Sequence, residues 1–218
     1  LREITSIRGA GDSFPAVAAM RVLAAEVRAI LGPAVKIGYA ADWSEYAGLS
    51  RDGNRYFNLD PLWADAHVDF VGIDNYMPLS DWRVEEEQAD AAWGGIHDLR
   101  YLTANVAGGE GFDWFYGSPE GVAAQRREPI TDGDGEPWIW RVKDIRNWWG
   151  QPHHERIGGV RQALPTGWEP ASKPVWFTEY GCPAVDKGTN QPNLFYDAAS
   201  SEGALPRASV GMRDDLIQ

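Results

Sequence analysis

A single cysteine, Cys182, excludes an internal disulfide framework. No stretch approaches the ~18 to 20 consecutive apolar residues of a membrane span, and no charged-then-apolar leader opens the sequence as given. Positive charge is scarce: 20 Lys and Arg stand against 32 Asp and Glu, a net charge of −12 with no basic stripe. Such a chain repels phosphate backbones and anionic lipid, so neither nucleic acid nor a membrane is an expected partner. No glycine-rich phosphate loop follows any predicted strand, and no cofactor is expected. A metal is not expected either. His153-His154-Glu155 lacks the gap that would put two histidines on one helix face, and Asp132-Gly133-Asp134-Gly135-Glu136 starts like a calcium loop without its later ligands.

Aromatic residues, in contrast, are abundant. Eleven tryptophans and eight tyrosines accompany a 44% hydrophobic composition, enough for a sizeable core. Many indoles, among them Trp43, Trp82, Trp93, Trp114, Trp138, Trp140, Trp148, Trp149 and Trp168, fall beside acidic or glycine residues outside the apolar strands. Flat rings near carboxylates suit sugars; indoles also plug long loops onto a core.

Helical spacing of Val17, Met20, Leu23, Val27, Ile30 and Leu31 predicts a helix over Asp12 to Leu31, with Asp12 or Ser13 as its cap, Pro15 in its first turn and Gly32-Pro33 as its stop. Val35 to Trp43 and Val68 to Tyr76 read as strands, with a short helical stretch near Asp60 to Ala66 between them. Val175 to Glu179 reads as a third, buried strand that Pro174 begins and Gly181 ends. About 33 residues separate the ends of the first two, the period of a βαβ unit. Residues 80–172 read as a long insertion, with helices near Ala89 to Val106, Ser118 to Arg127 and Lys143 to Trp149.

Each strand ends in a carboxylate and an aromatic, which favours a (β/α)8 barrel over a doubly wound sheet. Strand alternation places Val175, Phe177 and Glu179 on one face, and Phe70, Gly72, Asp74 and Tyr76 on another. If both look into a barrel, Glu179 and Tyr76 meet at its mouth, where the tyrosine hydroxyl would orient a nucleophilic carboxylate. A retaining glycosidase needs a second carboxyl about 5 to 5.5 Å away. Glu3, Asp42, Glu45 and Asp74 are the candidates in this chain, while a rim ion pair would explain Glu179, and loop capping the two aspartates, without chemistry. Cys182 reads as a buried, inert thiol.

The motifs Ile7 to Pro15, Tyr39 to Tyr46, Asp69 to Leu79, Pro129 to Gly133 and Trp176 to Gly188 together resemble the glycosidase-like TIM-barrel domain of the large tail (host-specificity or baseplate) protein of gene transfer agents and related phages. That resemblance spans nearly the whole chain. It implies an α/β fold, a (β/α)8 TIM barrel of glycoside-hydrolase type present as about strands 5 to 7, within one partial domain over 1–218 that is truncated at both ends relative to its parent. Glu179 would be the seventh-strand nucleophile, Tyr76 its sixth-strand partner and Asp42-Trp43 the fifth-strand rim, with the acid/base glutamate just upstream of Leu1. Asp42, Trp43, Glu45, Asp74 and Trp114 are the expected substrate-binding residues, and the expected partners are cell-envelope polysaccharide or oligosaccharide and other tail or baseplate proteins. The domain would then sit in a phage-like tail, assembled in the bacterial cytoplasm and acting at the cell surface. The alternatives are a structural or glycan-binding tail module without turnover, and a doubly wound hydrolase using Asp or Cys, which the lack of a nucleophile elbow disfavours.

Overall fold

The computed structural model describes residues 2–84, 87–184 and 187–193. In chain order the main elements are α1 (Arg2–Thr5), α2 (Pro15–Leu31), β1 (Gly38–Asp42), β2 (Leu49–Arg51), β3 (Asn54–Tyr56), α3 (Asp60–Trp63), β4 (Phe70–Asn75), α4 (Leu99–Ala104), β5 (Trp114–Phe115), α5 (Pro119–Ala123), β6 (Glu128–Pro129), α6 (Ile145–Gly150), β7 (Arg156–Ile157), β8 (Val160–Arg161) and β9 (Val175–Tyr180). Two compact units divide them: Leu1–Asn75 with Ile145–Glu179, and Tyr76–Asp144 with Tyr180–Gln218.

The first unit is organised by a three-stranded parallel sheet in the order β1-β4-β9. Three strands close no barrel. β1 and β4 are in register from Gly38 opposite Phe70 to Asp42 opposite Asp74. Gly72 is required where it stands, because a Cβ there would strike the Tyr39 backbone carbonyl of β1. Ala41, Val71 and Ile73 are fully buried on one face, which turns toward α3 through the Tyr39–Trp63 ring contact at 5.8 Å. Arg28 ties α2 to this sheet by donating to the carbonyls of Val35 and His67 and to the Asp69 carboxylate.

Helix α2 begins at Pro15, as its proline predicts, but the expected cap Ser13 does not close it. Phe14 occupies the cap position, and the Ser13 hydroxyl donates to the Ala10 carbonyl instead. The side chain of Asp12 lies outside the described residues.

A second, antiparallel sheet has the order β2-β3-β7-β8. It ties residues 145–161 back to the first unit, with Arg55 opposite Arg156. The stretch 80–172 is therefore divided: residues through Asp144 cluster with the second unit, and Ile145 onward with the first. Behind this sheet lies an aromatic pile. His153, fully buried, stacks on Phe57 at 4.3 Å and on Trp168 at 5.6 Å, and Trp168 stacks on Trp148 at 5.2 Å. The imidazole Nδ1 lies 2.8 Å from an Asp60 oxygen, and Nε2 donates to the Trp148 carbonyl at 2.7 Å.

In the second unit the expected long helix from Ala89 to Val106 is broken: a 3-10 turn, Ala91–Trp93, gives way at Gly94 before α4 starts. Gly94 has φ 85, left-handed backbone that glycine enters without a Cβ penalty. Short elements here are held by polar bonds. Arg127 bridges Asp81 at 3.0 Å and Asp90 at 2.6 Å, and Asp81 also receives Arg83, Gln125 and the Tyr116 hydroxyl. Lys143, buried with its ammonium on the carbonyls of Asn105 and Gly108 at 2.9 Å each, closes the end of α4; burial lowers its pKa to about 8.

Candidate functional site at the strand ends

The carboxyl ends of the parallel strands gather acidic side chains. Asp42 and Asp74 are register partners on adjacent strands and therefore share a face. Each is held. Asp42 accepts from the Ser44 backbone N–H at 2.8 Å and from its hydroxyl, an arrangement that turns the chain out of β1. Asp74 accepts from the Thr178 hydroxyl at 2.6 Å, and its carbonyl takes the Trp43 N–H at 3.1 Å. Trp43 is half-buried beside this pair, and its indole Nε1 is buried without a hydrogen-bond partner among the described residues.

β9 departs from expectation in two ways. It is not buried: Trp176 is 46% exposed, Phe177 51% and Tyr180 79%, and Glu179 is exposed. Burial of a strand is set by what covers it, and composition does not report that. Its face assignment also changes. Trp176 stacks on Phe70 at 4.1 Å and Thr178 bonds Asp74, so these two β9 side chains share the Phe70–Asp74 face. Alternation along the strand then sends Val175, Phe177 and Glu179 to the side of Val71 and Ile73. Phe70, Gly72 and Asp74 thus point to one side of the sheet and Val175, Phe177 and Glu179 to the other.

Tyr76 opens the second unit, half-buried, with its ring edge beside Gly181. Glu45 is 7% exposed and sits under the rim, receiving the Thr5 hydroxyl and the Tyr39 hydroxyl, the latter at 3.1 Å. Burial, then the charge of Glu45, pushes the Tyr39 pKa well above its ordinary range, which keeps that hydroxyl a donor. Trp114 belongs to the second unit, where the Arg127 guanidinium lies 4.2 Å from its ring centroid. The Glu3 side chain lies outside the described residues.

Among the described residues no group of three or more His, Cys, Asp or Glu is placed to hold a metal ion. His153 serves the aromatic pile, His154 Nδ1 lies 2.9 Å from the Gln162 carbonyl, and Glu155 accepts from the Phe57 N–H at 3.2 Å. Asp132 is a turn residue, accepting from the N–H groups of Asp134 and Glu136 at 3.0 Å each. Cys182, expected to be buried, is exposed, although local desolvation pushes its thiol pKa up and so disfavours the thiolate. Sequence reasoning missed Thr178 as the residue that fixes Asp74; a hydroxyl one position before a strand-end acid was the available signal.

An α/β domain whose parallel strands present their acids at one edge is the class defined by this geometry. The chain belongs to the GTA TIM-barrel-like domain family, whose model matches residues 1–218, consistent with a gene transfer agent-type domain. No curated protein matches it. Among the described residues no helix is long and apolar enough to cross a membrane.

Proposed function

We propose that this domain is a glycoside-hydrolase-like module of a phage-type tail protein that engages bacterial cell-envelope glycan at the carboxyl ends of its parallel strands. One observation carries the reading: three neighbouring strands deliver Asp42, Asp74 and Glu179 at or next to their carboxyl ends, the edge where barrel enzymes assemble their sites. Trp43 supplies an adjoining ring of the kind that stacks on sugar. Glu179 takes the role of nucleophile in a retaining mechanism, with a second carboxyl as acid and base. Asp74, held by Thr178, is an acid in place to grip a sugar hydroxyl.

The test is sugar release from envelope polysaccharide by the intact parent protein. Wild type releases reducing ends and Glu179→Gln does not; equal release by both removes the enzymatic assignment. A second reading, a tail module that binds glycan without turnover, is favoured by the placement of Glu179 on the face opposite Asp74. In that case glycan binding survives Glu179→Gln and fails on Trp43→Ala.

A further inference from the structure

A cavity of about 700 Å³ opens within the first unit, between the start of α2, the turn from Phe57 to Pro61 and the segment around Thr166. Its size is that of pockets for small organic ligands, and none of the strand-end acids lines it. Its wall is pre-set. Phe57 is fixed by its stack on His153, and Thr166 gives its N–H to the His153 carbonyl at 2.8 Å and its hydroxyl to Asp60, so the lining leans on the buried pile.

Of the polar groups on this wall Ser13, Asn58, Gln162 and Thr166 are neutral hydrogen-bonding groups, and Glu155 and Arg21 are the ionisable ones. Glu155 accepts one backbone N–H, and burial pushes its pKa up. Gln162 spends its Nε2 on the Val160 carbonyl at 3.0 Å, and its Oε1 takes no bond from a described residue. Asn58 gives its Nδ2 to the Thr5 carbonyl at 3.1 Å, while its Oδ1 is buried without a donor among the described residues. Arg21, the lining cation, already holds Asp65 through Nε at 2.8 Å. A phosphate or carboxylate ligand would meet the Glu155 oxygens; a polyol, which donates and accepts at each hydroxyl, matches a carboxyl and the Gln162 carboxamide set beside the Phe14 and Phe57 rings.

We propose that this cavity is a saccharide pocket for one or two sugar rings, separate from the strand-end edge and standing on its own lining. The test titrates the intact protein with glucose, N-acetylglucosamine and cellobiose, following backbone amide shifts by NMR, with inorganic phosphate as a competitor. Shifts confined to residues 57–61 and 162–167, unaffected by phosphate, are expected for at least one sugar. Ala18→Trp, which fills the cavity from an exposed helix position, is expected to weaken that binding about tenfold or more. Should Ala18→Trp prove unfolded by its melting curve, Gln162→Ala is read in its place and is expected to weaken binding several-fold. Shifts only at residues 42–44 and 74–76 would overturn the pocket while sparing the strand-end reading. No shift with any sugar, displacement by phosphate, or unchanged affinity in the folded variant would overturn it as well; sugar release from polysaccharide judges the strand-end reading independently.

Discussion

The two units of this chain are held by different physics. The first buries large apolar and aromatic groups: Trp63, Trp148, Phe57, Leu59 and Ile73 are each at most 2% exposed. Within the second, short elements converge on a charged network in which Arg127 answers Asp81 and Asp90 while capping the Trp114 ring. Area burial is non-directional and survives small shifts; a buried charge network is stable only while every member keeps its partner. A sheet with a large apolar face can therefore place strand-end acids firmly, whereas the second unit joins its own buried groups, Tyr101 and Ile139 at 1% exposed, to a network of specific bonds.

Single substitutions should separate these regimes. Arg127→Ala leaves Asp81 and Asp90 without their shared cation and is expected to cost about 3–5 kcal/mol, read as lost hydrogen-exchange protection across residues 81–130 with protection of β1 and β4 retained. Trp63→Ala, which empties a fully buried site, should cost a similar ~3–5 kcal/mol in denaturant unfolding but act on the first unit. Equal loss of protection in both units after either change would show that the contrast is wrong.

Smaller effects sharpen it. Thr166→Val removes the hydroxyl that serves Asp60 and should cost about 1–3 kcal/mol, since it strips one donor from a buried carboxylate. The smallest effect is on acid stability. The Ile37 N–H, with help from Arg28 and Lys36, lowers the Asp69 pKa to about 2; for Asp65, burial works the other way but is outweighed by bonds from His67 and Arg21, again giving about 2. Because both folded values lie below the ordinary 3.8, their contribution is fully present above about pH 4 and is lost as pH falls through about 2. Asp69→Asn should flatten that part of the stability–pH curve, and an unchanged slope would contradict the assignment.

Local pattern made part of this legible in advance. The 3.6-residue spacing of α2, the glycine stop after it and the acid-ended strands β1 and β4 are written in contiguous residues, and the family resemblance holds across 1–218. The antiparallel sheet was not visible, because its strands are two or three residues long and join position 55 to position 156. Spacing argued against a metal role for the His-His-Glu run but could not show that His153 would pair with Asp60 across 93 residues. The faces of β9 were misjudged for a related reason. Alternation within a strand is legible from sequence; which side meets the neighbouring strand is fixed only by register, here revealed by Thr178 on Asp74 and Trp176 on Phe70.

The most direct test of the strand-end account is the distance from the Glu179 carboxylate to the nearest second carboxylate in a crystal structure of the intact protein. A retaining hydrolase predicts about 5 to 5.5 Å across an open, aromatic-lined cleft. Finding Glu179 against an arginine with no second carboxylate within reach would contradict catalysis and leave the scaffold or glycan-binding reading.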